Sequence, residues 1–323
     1  MREGSSTVHF KLQGDGDAIL FIHGIPTNHR LWDEVIRKLS CNHRCFAVDL
    51  PGMGSTPFAP YSSDYLDRMA TQIEELRIQN GVTKWHVVGH DAGSAIAVHY
   101  ASRFGCSVAC LVLLSPAIFP DLKPFYLLSP LRKPLLGEVL APLVHFIFWQ
   151  IAMRRAIDTK TNRALLRAFR KPFSGIAGAW RFMRLVRWGR PEDILGGIPA
   201  KLAELLMPTL VFHGTRDVLP ASFAERAALL IPNSTFVTLD AGHFVPLERP
   251  NEVVSRVRIF FRKNRERSPL PIQTLKTRKQ SAVPRRVAVE ALSREVERPA
   301  DYAHNVVGVE GSRGIAHRFR ALS

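Results

Sequence analysis

The sequence predicts an α/β fold, a doubly wound, mostly parallel sheet with a helical lid inserted into it. Three observations carry this. Short apolar runs alternate with longer stretches of helical period, which is βαβα order. The runs are apolar almost without interruption, as in strands covered on both faces, and that favours parallel pairing. The alternation then stops between Leu114 and Thr209, where the chain is helical in period and rich in Leu, Phe, Trp and Arg.

In chain order, Ala18–His23 (AILFIH) is the first expected strand. Only His9–Leu12 is available ahead of it, which leaves that sheet edge open. Arg44–Asp49, Trp85–Gly89, Ala109–Leu114, Thr209–His213 and Thr235–Leu239 follow as strands, rich in β-branched residues and bounded by Gly, Pro or Asp. Helices are expected at His29–Leu39, Asp64–Gln79, Gly93–Arg103, Ala221–Leu230 and Asn251–Lys263. In the insertion, Leu135–Met153 is the most apolar stretch. It contains Glu138, His145 and Gln150, whereas a membrane span needs about 20 nearly all-apolar residues, so it reads as an amphipathic or buried helix. The expected division is a core of residues 1–116 and 207–264, a lid at 117–206, and a basic, disordered extension at 265–323.

A hydrophobic content of 46% with 22% charged residues excludes a wholly disordered chain. The formal charge is +16, and the stretch from Arg262 to the end holds 14 Lys+Arg against 6 Asp+Glu. The basic excess therefore reads as a property of the tail. A nucleic-acid surface would interleave aromatics with those cations, but the tail has only Tyr302 and Phe319. Neither nucleic acid nor a membrane is an expected partner. Four cysteines make no disulfide framework, so a reducing, cytoplasmic setting is expected. The Cys41–Cys45 cluster matches no usual zinc spacing, no Gly-rich phosphate loop follows a strand, and Met1–Thr7 is too short and polar to read as a signal peptide. No metal or other cofactor is expected.

The chemistry centres on Gly89-His90-Asp91-Ala92-Gly93, placed between a strand and a helix. Small residues flanking a central nucleophile make the sharp strand-to-helix elbow that lifts a reactive side chain above a sheet. An Asp there attacks carbon through its carboxylate and forms an alkyl ester that water then hydrolyses. Asp217 follows the strand ending in His213, and His243 follows the last strand. All three thus fall at strand C-terminal ends, where open α/β sheets carry their sites. The order nucleophile–acid–histidine suits His243 as the base for water and Asp217 as the group that orients and charges it.

The segments HGIPTN, DLPGMGST, GHDAGS, GTRD and AGHFVPLERP together resemble the α/β-hydrolase superfamily over roughly residues 7–264. His23, Gly24 and Pro26 of the HGxP motif, with Asp at the elbow, are similar to the epoxide hydrolase and haloalkane dehalogenase branch. The resemblance implies the α/β-hydrolase fold and an oxyanion hole made by the N–H groups of Ile25 and Ala92, with His23 and His90 supporting loops. It also shows departures. Haloalkane dehalogenases usually place Trp after the nucleophile to grip halide, where this chain has Ala92, and Ile25 offers no side-chain donor. Fluoroacetate dehalogenases need arginines just after the nucleophile, where Ala92 and Ala95 stand. Epoxide hydrolases place Tyr in the lid to protonate the opening oxygen. Here Tyr126 and His145 are the candidates, whereas lid Trp149, Trp180 or Trp188 could supply the second halide donor that a dehalogenase needs.

The expectation is a hydrolase of a small apolar substrate acting through an Asp91 ester, with epoxide opening to a diol first. Halide release or an ester-type hydrolysis is the alternative, and a catalytically silent ligand-binding protein is the rival of another class.

Overall fold

The computed structural model describes residues 8–60, 62–123, 126–153, 163–187 and 189–267. Seven strands form one sheet: β1 (Phe10–Gln13), β2 (Asp17–Ile22), β3 (His43–Val48), β4 (Trp85–His90), β5 (Val108–Leu114), β6 (Thr209–Gly214) and β7 (Ser234–Leu239). Their order is β1-β3-β2-β4-β5-β6-β7. All neighbours are parallel except β1, which runs antiparallel to β3. The edge left open by the sequence is therefore occupied. The pairing Phe10↔Val48 through Gln13↔Cys45 holds β1 in place, and the Phe10 ring packs 6.0 Å from Phe46.

The apolar runs bury as expected of strands covered on both faces. Every residue of β4 and of β6 is buried. The covering helices are α1 (Asp33–Leu39), α2 (Tyr65–Gln79) and α3 (Ala92–Arg103). Helices α4 (Leu136–Ile147), α5 (Arg163–Arg170), α6 (Gly175–Val186), α7 (Pro191–Leu195) and α8 (Ile198–Leu202) form the insertion between β5 and β6. Helices α9 (Ala221–Leu230), α10 (Val245–Glu248) and α11 (Pro250–Arg267) complete the chain's described part. Helix α11 passes the 264/265 boundary expected from the loss of periodicity. Its Asn264 is buried and donates to the Phe260 carbonyl at 2.8 Å, and Arg265 pairs with Asp17. The extension beyond residue 267 lies outside the described residues.

The strand order fixes where a site can form. From β2 the chain goes outward to β3, then returns across β2 to β4 and continues in the opposite direction. The C-terminal ends of β2 and β4 lie side by side at this reversal, with Ile22 paired to Gly89. Such a switch point opens a crevice at the sheet's carboxyl edge. The approach is so close that a Cβ on Gly93 would stand 2.4 Å from both the Ile22 and His23 carbonyl oxygens. Backbone cannot yield cheaply to that overlap. Gly93→Ala is expected to destabilise the fold by about 3 kcal/mol in denaturant unfolding. Gly197→Ala, where a Cβ meets nothing within 4 Å, should stay within about 0.5 kcal/mol of the parent.

Candidate active site

The turn after β4 places Asp91 at φ 51°, ψ −124°, a left-handed conformation for a residue with a side chain. Asp91 holds the N-cap position of α3 but makes no side-chain capping bond to the helix. Its carboxylate instead turns toward the loop after β2. The Ile25 N–H donates to its Oδ2 at 2.9 Å, and the adjacent Ala92 N–H also bonds the carboxylate. Gly24 makes room for this, since a Cβ there would lie 2.4 Å from Asp91 Cβ and from Oδ2. The Asp91 side chain is 14% exposed. Burial drives its pKa above the ordinary carboxylate value, opposed by the His243 charge and the two N–H groups.

The other two residues converge on it from β6 and β7. The His243 Nδ1–H donates to Asp217 Oδ1 at 2.9 Å, and its Nε2 stands 3.8 Å from Asp91 Oδ1. Asp217 is fully buried at its side chain. Burial works against its charge, but the His243 bond and charge and the Leu219 N–H hold its pKa down at about 2. Burial likewise opposes charge on His243, yet the Asp217 bond and the charges of Asp217 and Asp91 raise its pKa above the ordinary 6.5. The arrangement gives an Nε2 facing one oxygen of a carboxylate whose other oxygen accepts the Ile25 N–H.

The nearby histidines do structural work. His23 Nδ1 bonds the Gly24 carbonyl at 2.8 Å, and its Nε2 accepts the Leu50 N–H at 2.9 Å. Burial lowers its pKa to about 4, so it is a neutral strut between two loops. Burial takes His90 to about 3, and its Nε2 donates to the His243 carbonyl at 2.9 Å.

One group was not singled out from the sequence. Asp49, fully buried after β3, accepts the His29 N–H at 2.8 Å and the Ser55 N–H at 2.9 Å. It also bonds the Nδ1 atoms of His29 and His9. His9, His29 and Asp49 bring donor atoms within 4.8 Å of one another, the one such metal-capable group among the described residues. The hydrogen bonds already account for both carboxylate oxygens, so the group acts as a clamp on the loops flanking the Ile25 segment. The visible signal was an Asp directly before Leu50-Pro51-Gly52, which marks a turn without revealing its partners.

The insertion candidates divide. His145 is buried against Trp149 and Phe182. Burial lowers its pKa to about 4, and it hydrogen-bonds the Phe173 carbonyl. Its Nε2 has no partner among the described residues. A neutral imidazole that spends its N–H on Phe173 leaves Nε2 as an acceptor. Trp149 is buried, and its Nε1–H has no partner among the described residues. Tyr126 opens a 3-10 segment reaching Arg132, and its side chain lies outside the described residues, as does Trp188. Trp180 is partly exposed.

A family model described as the alpha/beta hydrolase fold matches residues 17–250. The chain belongs to that family. The hydrolase is 25% identical over 280 residues to the cis-3-alkyl-4-alkyloxetan-2-one decarboxylase of Shewanella oneidensis, covering 80% of this chain and 86% of that one. It is 24% identical over 287 residues to epoxide hydrolase 3 of Xenopus tropicalis, covering 82% and 77%. The crystal structure of the haloalkane dehalogenase DbeA from Bradyrhizobium elkani superposes with a TM-score of 0.69 at 22% identity, covering 80% of this chain and 95% of that one; this likeness is one of fold.

The Asp49 clamp is testable by its pH dependence. Its backbone and ring bonds are made to the charged form, so burial notwithstanding its pKa is about 2 in the folded state against an ordinary 3.8. The stability it contributes is present above about pH 4 and lost as pH falls toward about 2. Asp49→Asn should cost about 2–3 kcal/mol near neutral pH, and the gap to wild type in denaturant titrations should close through that window.

Proposed function

We propose that this hydrolase opens a strained C–O ring of a small apolar substrate through an alkyl ester on Asp91, with an epoxide giving a diol as the first reading. The observation that carries it is the pose of the Asp91 carboxylate. Oδ2 accepts the Ile25 N–H, the Ala92 N–H also bonds the carboxylate, and Oδ1 faces His243. Oδ1 attacks the ring carbon as the ring C–O bond breaks. The electron pair goes to the departing ring oxygen, which takes up a proton. Oδ2 is then the ester carbonyl oxygen. His243 Nε2 removes a proton from water, the water oxygen adds to the ester carbon, and the oxyanion on Oδ2 is held by the same two donors. Each is worth about 3 kcal/mol in such holes. Collapse breaks the bond from the carboxyl carbon to Oδ1, the departing alcohol keeps Oδ1 and takes back the proton from His243, and the water oxygen stays on Asp91. Asp217 keeps the His243 Nδ1–H in place and stabilises the imidazolium.

The proton on the ring oxygen must come from an O–H group or water, because an indole N–H hydrogen-bonds without giving up its proton; Trp149, whose buried Nε1–H has no partner among the described residues, would steady that oxygen, and His145 Nε2 is an acceptor. Tyr126 stays a candidate from the sequence. Halide release is the weaker reading: neither Ala92 nor Ile25 brings a side-chain donor to the elbow. The named activities of the two relatives, on an epoxide and on a four-membered oxetan-2-one, favour a strained oxygen ring. The residues 117–206 would then act as a lid over the crevice, with the Leu-, Phe- and Trp-rich insertion selecting apolar substrates.

The test is to trap the intermediate. His243→Gln removes the base but not the nucleophile. Incubated with epoxides and oxetan-2-ones, it should accumulate an adduct of substrate mass on the peptide holding Asp91, and Asp91→Asn should abolish that adduct. Failure of every panel member to leave an adduct, while wild type turns one over, would sink the mechanism. A second expectation concerns pH. Neutral His243 is the active form and its pKa is raised, so kcat should fall on the acid side with a midpoint above 6.5. Asp217→Asn removes the partner that opposes burial. It should move this limb to lower pH while cutting kcat by about three to four orders of magnitude.

A further inference from the structure

The charge of this chain divides in a way that the tail alone does not explain. Residues 117–206 carry 15 Lys+Arg against 6 Asp+Glu, a formal +9. The rest of the excess lies beyond residue 261, and the hydrolase core itself is close to neutral. The insertion is thus as basic as the tail.

Within it, α4 carries only Glu138, paired with Arg187, and the buried His145 as polar side chains. Its inner side (Ala141, Val144, His145, followed by Phe148 and Trp149) is buried. Its outer side is equally apolar. Leu135, Val139, Leu143 and Phe146 are 82%, 77%, 56% and 56% exposed, at helical spacings that place them on one stripe. A helix with so few polar side chains belongs inside a core or a membrane, yet this apolar stripe meets solvent. Ile176 and Trp180, one turn apart on α6, are also exposed. Beside Ile176 lies a surface groove of about 520 Å³ whose lining includes Gly175, Arg30, Arg167, Arg170 and Lys171, with no carboxylate among its lining residues.

We propose that the insertion docks on an anionic lipid bilayer, with the α4 stripe in the acyl boundary and the cationic groove on the headgroups. Apolar side chains beside lysines and arginines are the two parts of an interfacial surface. A second copy of this chain would bring the same positive charge to the contact and repel it, and nucleic acid would leave the apolar stripe unused. The contact is peripheral: among the described residues no helix is long and apolar enough to cross a membrane. The expectation that no membrane is involved considered spanning segments and the tail, and a stripe of exposed side chains on a mostly apolar helix escapes both. The docking does not depend on Asp91 chemistry.

The experiment is flotation of the full chain with vesicles of phosphatidylcholine alone and with about 30% phosphatidylglycerol. Wild type and Asp91→Asn should float equally with the anionic vesicles, weakly with the neutral ones, and less as salt rises. Val139→Asp combined with Leu143→Asp should weaken binding at least about tenfold, with an unchanged melting curve. Arg167→Glu combined with Lys171→Glu leaves α4 intact and should weaken binding with a shallower salt dependence. Binding by both double variants equal to wild type would assign the attraction to the tail and overturn the proposal. So would absence of wild-type flotation, or a dimer in light scattering that Val139→Asp/Leu143→Asp dissolves.

Discussion

The structure turns on one carboxylate held above a sheet switch point. Asp91 occupies a backbone position of positive φ, its Oδ2 accepts the Ile25 N–H from the loop after β2, and its carboxylate also bonds the Ala92 N–H at the start of α3. Everything near it is shaped by that closeness. Gly24 leaves space for the carboxylate, Gly93 lets the helix start against the ends of β2, and β2 and β4 must be neighbours for either contact to exist. A strained backbone is retained where the surroundings over-determine it. Here the surroundings are the most deeply buried strands of the sheet, which supply the rigidity that a mobile loop could not.

The electrostatics follow from burial acting on groups with different partners. His23 and His90 have carbonyl or N–H partners but no bonded carboxylate, and burial leaves them neutral. His243 is buried too, yet a fully buried carboxylate on one side and Asp91 on the other reverse the balance. The same residue type is therefore a neutral strut in two places and, between two carboxylates, an imidazole of raised pKa in the third. The Asp–His contact at 2.9 Å selects which nitrogen carries the proton, so Nε2 is left facing Asp91. The Asp49 clamp repeats the principle in a structural setting: a buried carboxylate survives because backbone N–H groups and two imidazoles satisfy it.

Much of this was legible in the chain. The elbow Gly89–Gly93, the acid after β6 and the histidine after β7 each follow an apolar run, and a parallel sheet brings such positions to one edge whatever the details between them. What escaped depended on partners distant in sequence. Strand β1 is short and exposed, so its pattern is weak until β3 pairs with it. His9 and His29 gain meaning only beside Asp49. That α11 runs past residue 264 goes with a local bond from Asn264 and a long-range pair from Arg265, neither of which has a periodic signature. In the insertion, apolar residues announced helices correctly, but periodicity could not tell that α4 leaves one apolar side uncovered. His145 suggested a proton donor by type and place, and only its bond to Phe173 shows that the ring offers an acceptor instead.

The central claim is that Asp91, and not water, makes the first bond to substrate carbon. Its most direct measurement is a single turnover with enzyme in excess, in water enriched in heavy oxygen, followed by mass analysis of the product and of the Asp91 peptide. The account predicts an unlabelled first product and one heavy oxygen on Asp91. Heavy oxygen in the product of that first turnover, with Asp91 unlabelled, would contradict it.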